Sequence, residues 1–349
     1  MSGNILFSHV NPELYRHPDE RKAKARLDKI PGFARGAAKL AELAGGPAER
    51  RGVIASLARV GPGVYPRLHD LWNETLERFG LGSSPLYVSF AREQSWSLQD
   101  WGGLPALILD SDWLDLLTRD EMGVFLAMRA GDIRLGNARY LAAADYLRRL
   151  RDFSGLAAIP AFMWSWGLEN WRRAAMFSAD RAAALSLGDG ERVAAFLAKL
   201  SGAGSLAWGS LSDPEALRLQ GLEAISLEQD WSNHLARRFA MVMNRRRGGF
   251  LARRLDLLAW FAEGVPQKVL SGELREFVPD PSPAGEDERI DSGPAFWGAF
   301  AGAPGGDAAA EPGRSRPDLA GAIEKGWETF RQVGESLWHS LDSGGKDKP

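Results

Sequence analysis

Along the first 277 residues, apolar side chains recur mostly every three or four positions, and at alternating spacing in only two places. Helices are predicted over Arg35–Leu43 and Pro66–Phe79. Ser84–Phe90 and Leu104–Asp110, rich in Val, Tyr, Ile and Leu and bounded by Gly and Pro, read as two short strands. A further helix opens at Thr118-Arg119-Asp120-Glu121, a capping-box pattern, and closes near Gly136. Helical spacing continues over Asn137–Arg151, Ala157–Leu187, Glu191–Leu200, Pro214–Asn244 and Gly249–Ala262. The fold class that follows is α+β, predominantly helical, with a small sheet.

After Phe277 the pattern breaks. Residues 278–316 are rich in Pro, Gly, Ala, Asp and Glu and read as a flexible linker with one aromatic island, Pro294–Phe300. In residues 317–343, Ile323, Trp327, Phe330, Val333, Leu337 and Leu341 fall on one side of an expected amphipathic docking helix. The expected division is a domain over 1–277, the linker, and this helix, which docks either on its own chain or on a partner.

Composition narrows the chemistry. A net charge of −2 over 349 residues gives no bulk electrostatic case for nucleic acid. The longest apolar stretch, Leu156–Leu168, is shorter than the ~20 residues a membrane-spanning helix needs. The absence of cysteine removes disulfides and thiolate metal sites and suits a reducing compartment. No basic segment leading into an apolar core marks the N-terminus, so a cytoplasmic location is expected. The five histidines, His9, His17, His69, His234 and His339, include no pair at metal-binding spacing, and no phosphate-binding glycine loop is present.

The stretch Leu126-Ala127-Met128-Arg129-Ala130-Gly131-Asp132-Ile133-Arg134-Leu135-Gly136-Asn137 resembles the metal-binding helix of the M48 family of zinc metallopeptidases, written LAHELGHIxxGH. Met176-Phe177-Ser178-Ala179-Asp180-Arg181 resembles the family's E-x-S-A-D-R segment. Arg16-His17-Pro18-Asp19-Glu20-Arg21, Ile30–Phe33, Arg59–Pro62, Pro85–Ser89, Leu107–Leu117 and Arg181–Leu200 extend the resemblance over roughly residues 14–275. It implies a zincin-like metallopeptidase fold. It also implies zinc held by two histidines and a glutamate, with the glutamate beside the first histidine as general base.

This chain departs from the family at those positions. Met128, Asp132 and Met176 stand where the three ligands belong, and Arg129 stands at the base. Two histidines at i and i+4 share a helix face and can reach one Zn²⁺. A thioether is a poor substitute, and a guanidinium stays protonated and cannot accept the water's proton. The expectation is therefore no zinc and no catalytic residue. A different metal, held by Asp132 with Glu169 or Asp180, is the alternative.

Arg129 follows Phe125 by one turn, near the stripe a helix would bury. If buried it needs a carboxylate, and Asp132 and Asp180 are the two at hand. If not, it reaches solvent. The resemblance places Trp96 and Trp101, in the loop between the two strands, near the edge that pairs with extended substrate. They are peptide-binding candidates unless they cover the domain's own core. Arg245–Arg247 with Arg253 and Arg254 reads as a solvated basic face. The function these observations favour is a catalytically inactive peptidase relative that binds protein or extended peptide. A metal-dependent endopeptidase with a non-standard site, and a structural subunit tethered by its C-terminal helix, are the alternatives.

Overall fold

In the computed structural model the two leucine-rich runs expected as strands join two further short strands in one four-stranded sheet. The structure describes residues 7–29, 33–90, 95–153, 158–200 and 264–273, with Leu219, Arg254, Leu257 and Trp260. Contacts divide the chain into two units, Met1–Phe277 and Val278–Pro349. The expected linker and docking helix, with Ile323, Trp327, Phe330, Val333, Leu337 and Leu341, lie outside the described residues, as does most of 201–263.

The strands are β1 (Ala58–Arg59), β2 (Leu86–Ser89), β3 (Trp96–Asp100) and β4 (Pro105–Asp110), in the order β1-β2-β4-β3. β2 and β4 run parallel, with Leu86 beside Leu107 and Val88 beside Leu109. β1 and β3 flank them antiparallel. The alternation sends Leu86, Val88, Leu98, Leu107 and Leu109 to one face, where all are buried. On the opposite face, Val53, Tyr87, Trp101 and Ala106 form a smaller core with Leu57 and Ile108 against it.

The helices are α1 (Pro18–Asp28), α2 (Phe33–Ala44), α3 (Pro47–Ser56), α4 (Pro66–Arg78), α5 (Asp112–Leu116), α6 (Arg119–Arg134), α7 (Ala138–Phe153), α8 (Ala158–Leu187), α9 (Gly190–Ala198) and α10 (Val265–Ser271). At the start of α6 the Thr118 hydroxyl accepts from the Glu121 amide and the Glu121 carboxylate accepts from the Thr118 amide. Gly136, with φ of 73°, ends it. α6 packs on α8, whose Ala182 sits so close that a Cβ on Gly131 would come within 2.5 Å of it. α1 and α7 each pack on α8 as well. No helix among the described residues is long and apolar enough to cross a membrane.

Two expectations need correction. The segment holding Trp96 is not a loop. It is strand β3, paired from Trp96–Leu109 to Asp100–Pro105. Its run Trp-Ser-Leu-Gln-Asp lacks the β-branched residues that mark a strand, and cross-strand pairing supplies what propensity does not. Helices α1 and α3 were also unmarked, since their positions are dominated by charged residues and alanine.

Candidate functional site

The buried face of α6 carries Met122, Phe125, Leu126, Met128, Arg129 and Asp132. Charged residues here must find partners, because an unpaired buried charge costs several kcal/mol. Arg129, 3% exposed, donates from Nη1 toward Asp132 Oδ2 at 3.1 Å, one turn along the helix. Its guanidinium lies over the Trp96 ring, 3.7 Å from the centroid, and 5.6 Å from that of Phe125. Trp96 meets Phe125 edge-on, and Trp113 stacks on Phe125's other side at 5.1 Å. Arg129 Nε, though buried, has no hydrogen-bond partner among the described residues.

Asp180, on α8, is also buried. It does not take Arg129. Arg254 grips it with two bonds, Nε to Oδ2 at 2.9 Å and Nη2 to Oδ1 at 2.7 Å. Bidentate pairing of this kind is the strong form of the guanidinium–carboxylate contact. Next to it, the Arg181 guanidinium lies 4.7 Å from the Trp260 ring centroid. The sequence reading of Arg254 as part of a solvated basic face is thus overturned: it is 8% exposed and neutralises an internal acid. No sequence signal joins residues 74 positions apart.

Burial raises the Asp132 carboxyl to about 6, against the opposing pull of Arg129. Burial likewise lowers the Arg129 guanidinium, opposed by Asp132. Met128 is buried and Met176 half-buried, apolar side chains at the positions where the resemblance expects ligands. Glu169, the other carboxylate considered for a metal, is held by Arg172 at 2.7 and 3.1 Å. Among the described residues no three His, Asp or Glu side chains gather to hold a metal. The donor set therefore does not fit catalytic zinc: a thioether, a carboxylate already shared with arginine, and another thioether.

Trp96 and Trp101 part company. Trp96 joins Arg129 at the α6 face. Trp101 is 7% exposed within the small core, donating to Gln99 Oε1 at 2.8 Å beneath the Arg50 guanidinium. It covers the domain's own interior.

Behind α6 a second polar group joins α1, α6, α7 and α8. Arg16 donates to Glu20 Oε1 at 2.8 Å and to the Leu135 carbonyl at 3.2 Å. The His17 amide donates to Ser178 Oγ at 2.8 Å. Burial raises the Glu20 carboxyl against the pull of Arg16. Asn137 lies close enough to Glu20 and Asp132 to favour their ionised forms, yet its Nδ2 completes no hydrogen bond among the described residues.

The chain is 28% identical over 212 residues to plastoglobule-localized metallopeptidase 48, chloroplastic, from Arabidopsis thaliana; the match covers 57% of this chain and 58% of that protein. The relationship to this metallopeptidase family is distant. No family model matches, and no solved structure matches.

Proposed function

We propose that this protein is a catalytically inactive relative of the M48 metallopeptidases that serves as a binding or scaffold module for protein or extended peptide in the cytoplasm. The observation that carries the reading is electrostatic. Where a zincin relies on a divalent cation and its ligands, this chain supplies two guanidiniums of its own, Arg129 beside Asp132 and Arg254 on Asp180. Each remaining acid at the former metal site is already neutralised from within. Arg129, at the general-base position, has no proton-accepting capacity. No step of hydrolysis is assigned to this site. The binding role rests on Trp96, which the resemblance places near the edge that pairs with extended substrate and which β3 carries toward α6.

The test is metal content together with proteolysis. Purified protein incubated with excess zinc and dialysed should retain far less than one zinc per chain and leave casein intact. Zinc that survives dialysis in stoichiometric amount, or casein cleavage blocked by a chelator, overturns the reading in favour of an endopeptidase with a non-standard site.

A further inference from the structure

We infer that the open edge of strand β1 receives an extended acidic peptide, whose backbone pairs with Arg59 and whose carboxylates meet the arginines around it. This goes beyond the binding role proposed above, which rests on Trp96, because β1 and β3 stand at opposite ends of the sheet.

The two edges differ in what covers them. α7 and α2 pack along β3, whose Leu98, Gln99 and Asp100 are buried. On β1 both residues, Ala58 and Arg59, are exposed. In an antiparallel ladder, successive residues turn their backbone groups alternately toward and away from the neighbouring strand. The Val60 amide donates to the Leu86 carbonyl at 2.9 Å, so Ala58, two positions back in the same register, also faces β2. Arg59, between them, turns its N–H and C=O outward. Among the described residues neither group has a hydrogen-bond partner.

The chain itself begins to fill this edge and then stops. Gly61 and Val64 exchange backbone hydrogen bonds at 2.8 and 3.0 Å across Pro62-Gly63, which sets Val64 on the outward side. If the hairpin continued, residue 66 would come opposite Arg59. It does not continue, because Tyr65 takes a left-handed conformation, φ 56°, and the chain turns into α4. Residue 66 is also a proline, with no N–H to donate. Arg59 is left as the next position to be paired. Val64 and Tyr65, 46% and 41% exposed, stand at one end of it, and α3 brings exposed Ile54 to the other.

Charge selects the occupant. Residues 50–67 hold four arginines, Arg50, Arg51, Arg59 and Arg67, and no Asp or Glu. All four are exposed. Neither Arg59 nor Arg67 meets a carboxylate among the described residues. Arg50 covers Trp101, which meets Tyr87, the residue opposite Arg59 in the ladder, so Arg50 and Arg59 border one face of the sheet. Residues opposite one another on a sheet face interact directly, and opposite charges stabilise the pair. A strand beside Arg59 therefore gains most with Glu or Asp facing it. The same rule disfavours a second copy, since a two-fold pairing of β1 about Arg59 would set arginine against arginine. A charged residue on a short edge strand can serve simply to repel other strands. That role gives no reason for exposed Ile54, Val64 and Tyr65 beside it.

The experiment measures, by anisotropy at low salt, binding of a labelled short peptide alternating Glu and Val to the full-length protein. Its Lys–Val counterpart and a Glu–Val peptide N-methylated at each Glu run beside it. The Glu–Val peptide should bind better than Lys–Val, and N-methylation or Arg59→Glu should each weaken it about tenfold. Arg59→Glu should also reverse the preference toward Lys–Val. Arg59→Pro removes the outward N–H as well as the charge, and leaves the bonds to β2 in place, so it should weaken binding further than Arg59→Ala. The N-methylated peptide tests the pairing even where a variant does not fold. Equal binding of the methylated and parent peptides reduces the contact to charge alone and overturns strand addition. Displacement of the peptide by an equal concentration of single-stranded oligonucleotide gives the face to a general polyanion and overturns it too. So does a dimer in sedimentation velocity that Arg59→Pro abolishes, which gives the edge to a second copy. Labelled casein bound equally by wild type and Arg59→Glu, with Glu–Val unbound, overturns the β1 site and leaves the binding module standing. If neither casein nor Glu–Val binds, the site and the peptide-holding reading fall together.

Discussion

Two polar clusters border α6: one joins Arg16, Glu20, His17 and Ser178, and the other pairs Arg129 with Asp132 and Arg254 with Asp180. Behind the helix, Arg16, Glu20, His17 and Ser178 sit in stretches that match the metallopeptidase pattern, and they join α1 to α8 across 161 positions of chain. In front, the positions of the expected ligands and base, Met128, Arg129, Asp132 and Met176, differ from the resembled pattern while Asp180 matches it, and the charged residues pair internally: Arg129 with Asp132, and Arg254 with Asp180. The rear cluster ties α1 to α8. In the front cluster, burial leaves two solutions, apolar residues or internally compensated charge. This chain uses both, with Met128 and Met176 as the first and the two ion pairs as the second.

The largest expected effect tests the front cluster. Arg129→Ala strands Asp132 in a buried site and should cost about 3–5 kcal/mol of unfolding free energy, read from denaturant melts. Arg129→Met combined with Asp132→Leu should cost much less than Arg129→Ala alone, because no charge remains stranded. If Arg129→Ala costs less than about 1 kcal/mol, the pair is hydrated like a surface pair and the contrast between front and rear disappears.

The same cluster has a pH signature. The Asp132 carboxyl is raised from 3.8 to about 6 in the fold. An acid that binds its proton more tightly when folded stabilises most fully below its unfolded pKa. That contribution is lost as pH rises through the folded value. Between about pH 4 and 6 the protein should therefore lose up to about 3 kcal/mol from this group, because each pH unit in that interval is worth about 1.4 kcal/mol. Asp132→Asn should flatten that slope. A stability that rises over the same interval would show the carboxylate to be ionised and well compensated.

What was legible in the sequence divides along the same line. Gly131 and Gly136 are the glycines of the motif and remain for backbone reasons: Ala182 crowds the first, and the second adopts a left-handed conformation. The capping box at Thr118 was readable because its signal is local, closed within a single turn of chain. Strand β3 was not, because Trp-Ser-Leu-Gln-Asp becomes a strand through pairing with β4. The partner of Asp180 was not, because nothing local distinguishes Arg254 from the neighbouring arginines. Trp96 and Trp101 looked alike as loop tryptophans. The intervening strand separates them onto different faces and into different roles.

Packing behind α6 can be tested by size. Gly131→Ala places a methyl 2.5 Å from the Ala182 Cβ, so α6 and α8 must move apart. Overpacking of a close helix crossing should cost about 1–3 kcal/mol. Ser178→Ala, which removes the acceptor of the His17 amide, should cost about 1–2 kcal/mol. Both belong to the rear scaffold, so neither should alter the pH slope assigned to Asp132. If either does, the two clusters are coupled through Asn137 and are not separate devices.

The smallest expected effect separates burial from distance. Arg149 on α7 donates to Glu49 on α3 at 2.6 Å, shorter than the 3.1 Å between Arg129 and Asp132. By length alone it is the stronger contact. Its side chains, however, are 47% and 38% exposed, where water and salt screen the attraction and long side chains lose entropy when fixed. Arg149→Ala should cost no more than about 0.5 kcal/mol, and raising the salt concentration should erase even that. Because the buried pair sits beyond the reach of screening ions, the cost of Arg129→Ala should hardly change over the same salt range. A salt-insensitive loss of more than about 1 kcal/mol at Arg149, on the order of a buried pair, would mean that α3 is fastened to α7 by this bridge and that exposure is not what divides the strong pairs of this molecule from the weak.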